Sequence, residues 1–239
     1  MIALPNAMRF GPCMSGTKLP EWDRVLSAAA HLQTIFPEAV LVGGSASAVY
    51  AAHRMSVAAD HVVPDLRYRF DAVLAELESV AGWKTARIQR PVQILGKLDG
   101  IETGIRQLLR ETPLETQRES ISIQGVSIEI TLPTPAEMLR IKAVLILKRN
   151  ATRDYLDFAA LSDRLGARNT HVALETHDVL YPQANGESPL MQLQIQLATP
   201  LPFDLDTIEL AEYKQLSERW HEWSAVVAQC GVVSMNLFE

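Results

Sequence analysis

The stretch "GGSASAVYAAHRMSVAAD", residues 43–60, decides how the rest of the chain is read. Before it lies Ala39-Val-Leu-Val42, a short, wholly apolar run that suits a buried strand. Gly43 and Gly44 end that run, and Ser45 is placed to cap a helix reaching about Arg54. Ala58 to Val63 reads as a second strand, stopped by Pro64. Paired glycines let a backbone approach a phosphate closely, and a serine at a helix N-terminus adds a hydroxyl to the exposed N–H groups. Taken alone, the turn has an equally simple steric reading, because many strand-to-helix turns carry two glycines.

Asp60 sharpens the question. Side chains at i and i+2 of a strand share a face, so Asp-x-Asp would set two carboxylates beside one magnesium ion. The chain offers Ala58-Ala59-Asp60, half of such a pair. A lone aspartate is more often a surface or capping residue.

Outward from this unit, Val25, Leu26, Ala29, Leu32 and Phe36 recur at helical spacing between Pro20 and Pro37. Leu66 to Val80 is an amphipathic helix ended by Gly82. Strand signals follow: Thr85–Gln89, Val92–Leu98, Ile101–Leu109, and a hairpin of Ile121–Gln124 with Val126–Leu132 about Gly125. Thr134-Pro-Ala-Glu137 is a capping box with proline at the first helical position, opening a helix to about Lys148. A second helix runs from Thr152 to Leu165 and ends at Gly166. Residues 167–239 read as a mostly helical subdomain, with helical patterns at His171–Leu180 and Ile208–Gln229 and a weaker one after Ser188-Pro189. Residues 1–19 read as an irregular, flexible arm.

Composition sets limits. Of the 239 residues 48% are apolar, enough for a real core, and the net charge of −6 excludes a generally basic nucleic-acid-binding surface. A local patch remains open, with Lys84, Arg87, Arg90, Lys97, Arg106 and Arg110 as its candidates. Cys13 and Cys230 stand far apart, outside any Cys-x-x-Cys pair, which disfavours zinc or a disulfide framework and fits a reducing cytosol. The N-terminus lacks the pattern of a signal peptide, and no run approaches the roughly 20 apolar residues of a membrane span. Cytoplasmic residence with no membrane partner is the expectation.

One more segment carries chemistry. In Leu139–Leu161, Lys142 lies within the helix that opens at Thr134, and Asp154 and Asp157 share a face of the next helix. They form either an ion-pair network between two helices or a lysine and an aspartate both turned toward a phosphate site.

Joined in order, these pieces resemble the AbiEii-type (MenT-like) nucleotidyltransferases, toxins of bacterial toxin–antitoxin systems. Gly43-Gly44-Ser45 is similar to the family's Gly-Ser motif, and His53–Asp60 to its His-Arg-x-Ser-x-Asp-x-Asp stretch, with one position changed. Leu139-Arg-Ile-Lys142 matches its Leu-x-x-Lys, and Arg153-Asp154-Tyr-Leu-Asp157 its Arg-Asp-x-x-Asp. The resemblance covers residues 20–166. It implies an α+β fold: a nucleotidyltransferase-type mixed sheet with flanking helices, followed by the helical C-terminal subdomain. It implies NTP as substrate, magnesium as cofactor, transfer of a nucleotide to an RNA acceptor, tRNA in particular, and a cognate antitoxin as partner. Carried over, Gly43, Gly44, Ser45, Ser56 and Arg153 would hold the nucleotide. Asp60 would bind the metal beside the gap at Ala58. Lys142 would be a cation on the phosphates, and Asp154 would act near the nucleophile or metal. The wider fold adds a third strand carboxylate, for which Asp99 and Glu102 are the candidates, with Glu129 weaker.

Alanine at 58 removes a ligand, which predicts weak metal binding and an inactive form of the enzyme. Three readings compete: a deliberate Asp-to-Ala change that spares an expression host, a natural pseudoenzyme, and another carboxylate such as Asp65 standing in. The first is preferred, because the rest of the site is intact. Two further functions compete with nucleotide transfer. One is a kinase-like phosphotransferase using the same groups. The other is a catalytically silent module binding nucleotide or protein, with Tyr213, Trp220 and Trp223 as an interface rather than core.

Overall fold

A computed structural model describes residues 20–123 and 125–237. The expected N-terminal arm, 1–19, lies outside them. Helices α1 (Pro20–Ile35), α2 (Gly43–Ala51) and α3 (Leu66–Ser79) alternate with strands β1 (Val40–Leu41) and β2 (Ala58–Val63). Strands β3 (Trp83–Gln89), β4 (Gln93–Leu98) and β5 (Ile101–Gln107) complete a mixed sheet of order β1-β2-β5-β4-β3. Only β2 and β5 pair in parallel within it. Strands β6 (Thr116–Ile123) and β7 (Val126–Pro133) form a separate hairpin.

Burial along β2 alternates. Ala59, His61 and Val63 face the core, whereas Ala58, Asp60 and Val62 take the other face. On the core side α1 and α3 pack under the sheet, with Leu32, Phe36, Val63, Leu66, Phe70, Leu77, Ile94, Leu98 and Ile105 in one apolar cluster.

Helix α4 (Pro135–Arg149) starts as expected, with the Thr134 hydroxyl accepting from the Glu137 N–H at 3.2 Å. The reciprocal half of the capping box is not made. The Thr134 N–H goes to the Glu115 carbonyl, and the buried Glu137 carboxylate pairs with Arg110 at 2.8 Å and Arg140 at 3.0 Å. Two cations inside the protein outcompete one backbone N–H. Helix α5 (Thr152–Leu165) has the expected bounds.

Beyond Gly166 the chain is helical in pieces: α6 (Ala167–Leu174), α7 (His177–Leu180), α8 (Pro189–Ala198) and α9 (Trp223–Asn236). The expected helix over 208–229 is replaced by short 3-10 turns at Leu210–Glu212 and Glu218–Trp220, with α9 starting late. The loop is held instead by its bonds to the α2–β2 connection, Met55 N–H to Lys214 carbonyl (2.7 Å) and Ser217 N–H to His53 carbonyl (2.8 Å). Trp220 is core, Trp223 meets Tyr155 edge-on, and Tyr213 lies under the Arg54 guanidinium, so these aromatics serve packing. The larger apolar cluster joins α1, α2, α4 and α5 to α6, α8 and α9. No helix of the described residues is long and apolar enough to cross a membrane.

Candidate functional site

The Gly43–Asp60 stretch folds back on itself. Gly43 has φ +75°, a conformation that favours glycine, and a Cβ placed there would lie 3.8 Å from the Asp60 carboxylate. A Cβ on Gly44 would lie 2.6 Å from the Arg54 guanidinium, so this glycine exists to let Arg54 in. The N-terminus of α2 has no side-chain cap. Its first N–H groups are therefore left, among the described residues, without a side-chain cap next to Asp60, at the positive end of the helix dipole.

Ser45 does not cap that helix. Fully buried, it donates its hydroxyl hydrogen to the Ala58 carbonyl, and Ser56 donates to the same oxygen at 3.4 Å. The expected phosphate ligand Ser45 is thus a brace between α2 and the start of β2. A buried hydroxyl takes the nearest backbone acceptor rather than stay unpaired.

Arg54 leads to the centre of the structure's charge. Asp157, on α5, is fully buried and takes four bonds: His53 Nε2 at 2.7 Å, Arg54 Nε at 2.7 Å and its terminal nitrogen at 3.0 Å, and Lys142 Nζ at 2.7 Å. Burial alone would raise the carboxyl's pKa, but Arg54, Lys142 and His53 hold it well below the usual carboxylate range. Burial also lowers the His53 pKa, so the ring is neutral and its Nε2–H donates to Asp157. Three of the four motifs therefore meet at one buried ion-pair hub.

The hub changes the roles read from sequence. Lys142 is 1% exposed and spans Asp157 and Asp154, so it is not a free phosphate cation. Asp154 is buried too and holds Arg149 with both oxygens, so its carboxylate is not open to the nucleophile or metal near which it was expected to act. Both yield to the same physics: a buried charge must be paired. Arg149, by contrast, is partly exposed at the end of α4 and feels the Asp60 charge. No sequence motif flagged it. Arg153 stands exposed on the first turn of α5.

At the sheet edge, Asp60 is one-third exposed, with Arg106 of β5 3.7 Å away. Ala58 pairs in register with Glu102, and Asp60 with Gly104. Glu102 therefore shares the Ala58–Asp60 face, one strand over, while Gly104 puts no side chain between them. Asp99 does not share it. It sits in the β4–β5 turn, where its carboxylate meets His31 at 3.4 Å and its carbonyl accepts from Arg24 on α1. Glu129 lies on the separate hairpin. Asp65, past the far end of β2, pairs with Arg69 at 2.8 Å and cannot replace a ligand at 58.

As a magnesium site the donor set is thin. Among the described residues no three carboxylate, histidine or cysteine side chains gather closely enough to hold a metal. Asp60 and Glu102 are two hard oxygen donors on one face, which fits an ion that takes its other ligands from water and substrate phosphates.

No family model matches the chain. Among solved structures, it superposes on a "putative nucleotidyltransferase" from H. pylori with a TM-score of 0.52 at 13% identity, over 90% of this chain and 92% of that one. The fold is nucleotidyltransferase-like. The antibiotic-resistance factor ANT(2'')-Ia, in complex with adenylyl-2''-tobramycin, matches more loosely, with a TM-score of 0.47 at 11% identity over 66% of this chain and 97% of that one. Curated relatives come from elsewhere. The heme uptake protein MmpL11 of Mycobacterium tuberculosis is 27% identical over 237 residues, 90% of this chain but 22% of its own length. MmpL11 of Mycolicibacterium smegmatis, a mycolic acid-containing lipids exporter, is 26% identical over 132 residues, 54% of this chain and 13% of its own length. The chain thus spans about a fifth of the first of these relatives.

Proposed function

We propose that the protein is of the magnesium-dependent nucleotidyltransferase type, moving a nucleotide from NTP to an RNA acceptor, with tRNA the preferred class, as the toxin of a toxin–antitoxin pair. The observation that supports the reading is the uncapped α2 N-terminus lying beside Asp60, which would let a bound phosphate and a metal ion adjoin. In the reaction an acceptor hydroxyl passes its proton to solvent water and attacks the α-phosphorus; the new P–O bond forms as the bond to pyrophosphate breaks and pyrophosphate leaves. A magnesium ion bound by Asp60 and Glu102 would supply positive charge for the leaving pyrophosphate.

The chain's own residues do the rest. The first N–H groups of α2 would receive phosphate oxygens, and Arg149, partly exposed and braced by Asp154, is a cation whose charge reaches Asp60. Lys142, Asp157, His53 and Arg54 hold α2, α4 and α5 in register and so act by positioning. Residues 20–166 carry the site, and 167–239 wall it through Tyr213 and the bonds to His53 and Met55.

With alanine at 58 the chain as it stands is of low activity. The test is incubation of the Ala58→Asp protein with magnesium, each labelled NTP and total RNA. Transfer of label to RNA supports the reading. No transfer to RNA, and no effect on growth when expressed, sinks it. A second reading, a silent binding module, draws support from the MmpL11 match, where the similar stretch is one part of a longer transport protein. It expects nucleotide binding by calorimetry without transfer in the Ala58→Asp form.

A further inference from the structure

Helices α1 and α3 pack against the core face of the sheet. On the opposite side α2 meets β2, while among the described residues no helix packs substantially against that face of β5, β4 and β3. The strand register says what stands there. Residues paired across antiparallel strands share a face, so Glu102, Lys97 and Lys84 form one row, and Gly104, Leu95 and Arg87 the next. Arg106 and Gln93 lead a third, ended by Gln89.

Lys84 and Arg87 are three apart and in a regular strand would point oppositely. A register shift between Thr85 and Arg87 adds one residue, Ala86, and brings both to the outer face. The irregularity thus places two cations where regular pleating would allow one.

Of the six basic residues singled out from sequence, the structure divides four from two. Lys84, Arg87, Lys97 and Arg106 share the open face. Arg110 is buried against Glu137, and Arg90 pairs with Asp71 over the Phe70 ring. Lys84, Arg87 and Lys97 are exposed and have no hydrogen-bond or ion-pair partner among the described residues. The acidic groups of the face, Asp60 and Glu102, stand together at its β2 edge. In a chain of net charge −6, three unpaired cations on β3 and β4 lead away from the carboxylates, with Arg106 of β5, 3.7 Å from Asp60, between them.

We infer that this open face of β5, β4 and β3 is the acceptor-docking surface, and that it binds the sugar–phosphate backbone of a single-stranded segment of RNA whose end reaches Asp60. The inference rests on the nucleotidyltransferase reading for what happens at that end, and on charge and register for where the strand lies. From β2 to β3 the track spans about 14 Å, three strand spacings. No aromatic side chain projects from these rows, so binding is electrostatic and indifferent to base identity, unlike a stacking platform.

The test compares two variants of equal net charge. One is Lys84→Gln/Arg87→Gln/Lys97→Gln, on the face. The other is Arg67→Gln/Arg90→Gln/Arg118→Gln, off it. Binding of a fluorescein-labelled single-stranded RNA 20-mer is followed by anisotropy across a salt series, with melting temperatures as the folding control. The on-face variant loses about tenfold or more in affinity at 0.1 M salt, and its log–log salt slope shrinks by about 2. The off-face variant stays within about twofold of the parent. Equal losses in the two variants, or no loss in either, overturn the inference.

Transfer assays in the Ala58→Asp background separate the two claims. If that protein transfers label to RNA and the on-face changes leave KM for RNA unchanged, the docking surface is wrong and the function stands. If it transfers nothing while the on-face changes still abolish RNA binding, the function is wrong and the surface stands.

Discussion

Two aspartates in this molecule show opposite solutions to the same problem. Asp157 is completely buried and surrounded by His53, Arg54 and Lys142. Asp60 is one-third exposed, with a single guanidinium at 3.7 Å and an uncapped helix N-terminus beside it. The first carboxylate has all its bonding capacity filled by the protein. The second has capacity left over for a ligand. Both belong to motifs that sequence reading ties to nucleotide chemistry, so motif membership does not distinguish a brace from a working group; satisfaction of its hydrogen bonds does.

The comparison breaks most visibly at the hub. Asp157→Ala leaves buried Arg54 without a carboxylate and Lys142 with only Asp154, at 3.5 Å, and is expected to cost about 3–5 kcal/mol, lowering the melting temperature by roughly 10 °C. A shift under 2 °C in differential scanning calorimetry would remove the hub from the list of stabilising elements.

Acid titration probes other buried groups. His61, on the core face of β2, and His177 are both pushed down to about 4 by burial. Between that value and the ordinary 6.5 the unfolded chain holds a proton on each that the folded chain lacks, so stability falls as pH falls through this window. Each contributes about 3 kcal/mol of loss by pH 4. Chemical denaturation at pH 7, 6 and 5 should give steadily lower midpoints; a flat profile down to pH 5 contradicts it. His61→Gln should flatten part of the slope.

Gly44→Ala tests the seam between the two regions, because its methyl would meet Arg54 at 2.6 Å. The expected cost is about 1–3 kcal/mol, with weaker nucleotide binding as Arg54 shifts and α2 moves with it. Unchanged urea midpoint and nucleotide affinity would mean that Arg54 yields freely.

The smallest stability effect is expected where the functional effect is largest. Asp60→Asn, at an exposed edge, should change stability by no more than about 0.5 kcal/mol. In the Ala58→Asp background it should abolish magnesium-dependent transfer. Retained transfer would take the metal role from Asp60.

Much of the architecture was legible because it depends on local rules. Strand β2 and helix α5 have the expected bounds, since the Pro64 stop and the Gly166 stop act within a few residues. The register of Glu102 beside Ala58 was not legible, nor was the turning of Asp99 toward His31, because parallel pairing joins residues 44 positions apart. The helix expected over 208–229 failed for a related reason: its backbone is claimed by His53 and Met55, distant in sequence.

By itself the sequence determined which residue types were available: two glycines before a helix, one carboxylate on β2 with alanine two positions earlier, and basic residues scattered over β3, β4 and β5. Only the tertiary structure decided their duties. It buried Ser45, Lys142 and Asp154, and burial forced each to spend its bonds on the protein. It left Asp60, Glu102 and the cations of the open sheet face in reach of solvent, where their bonds are free for a ligand. The physical reason is the cost of an unpaired buried charge, which depends on what surrounds a residue in space.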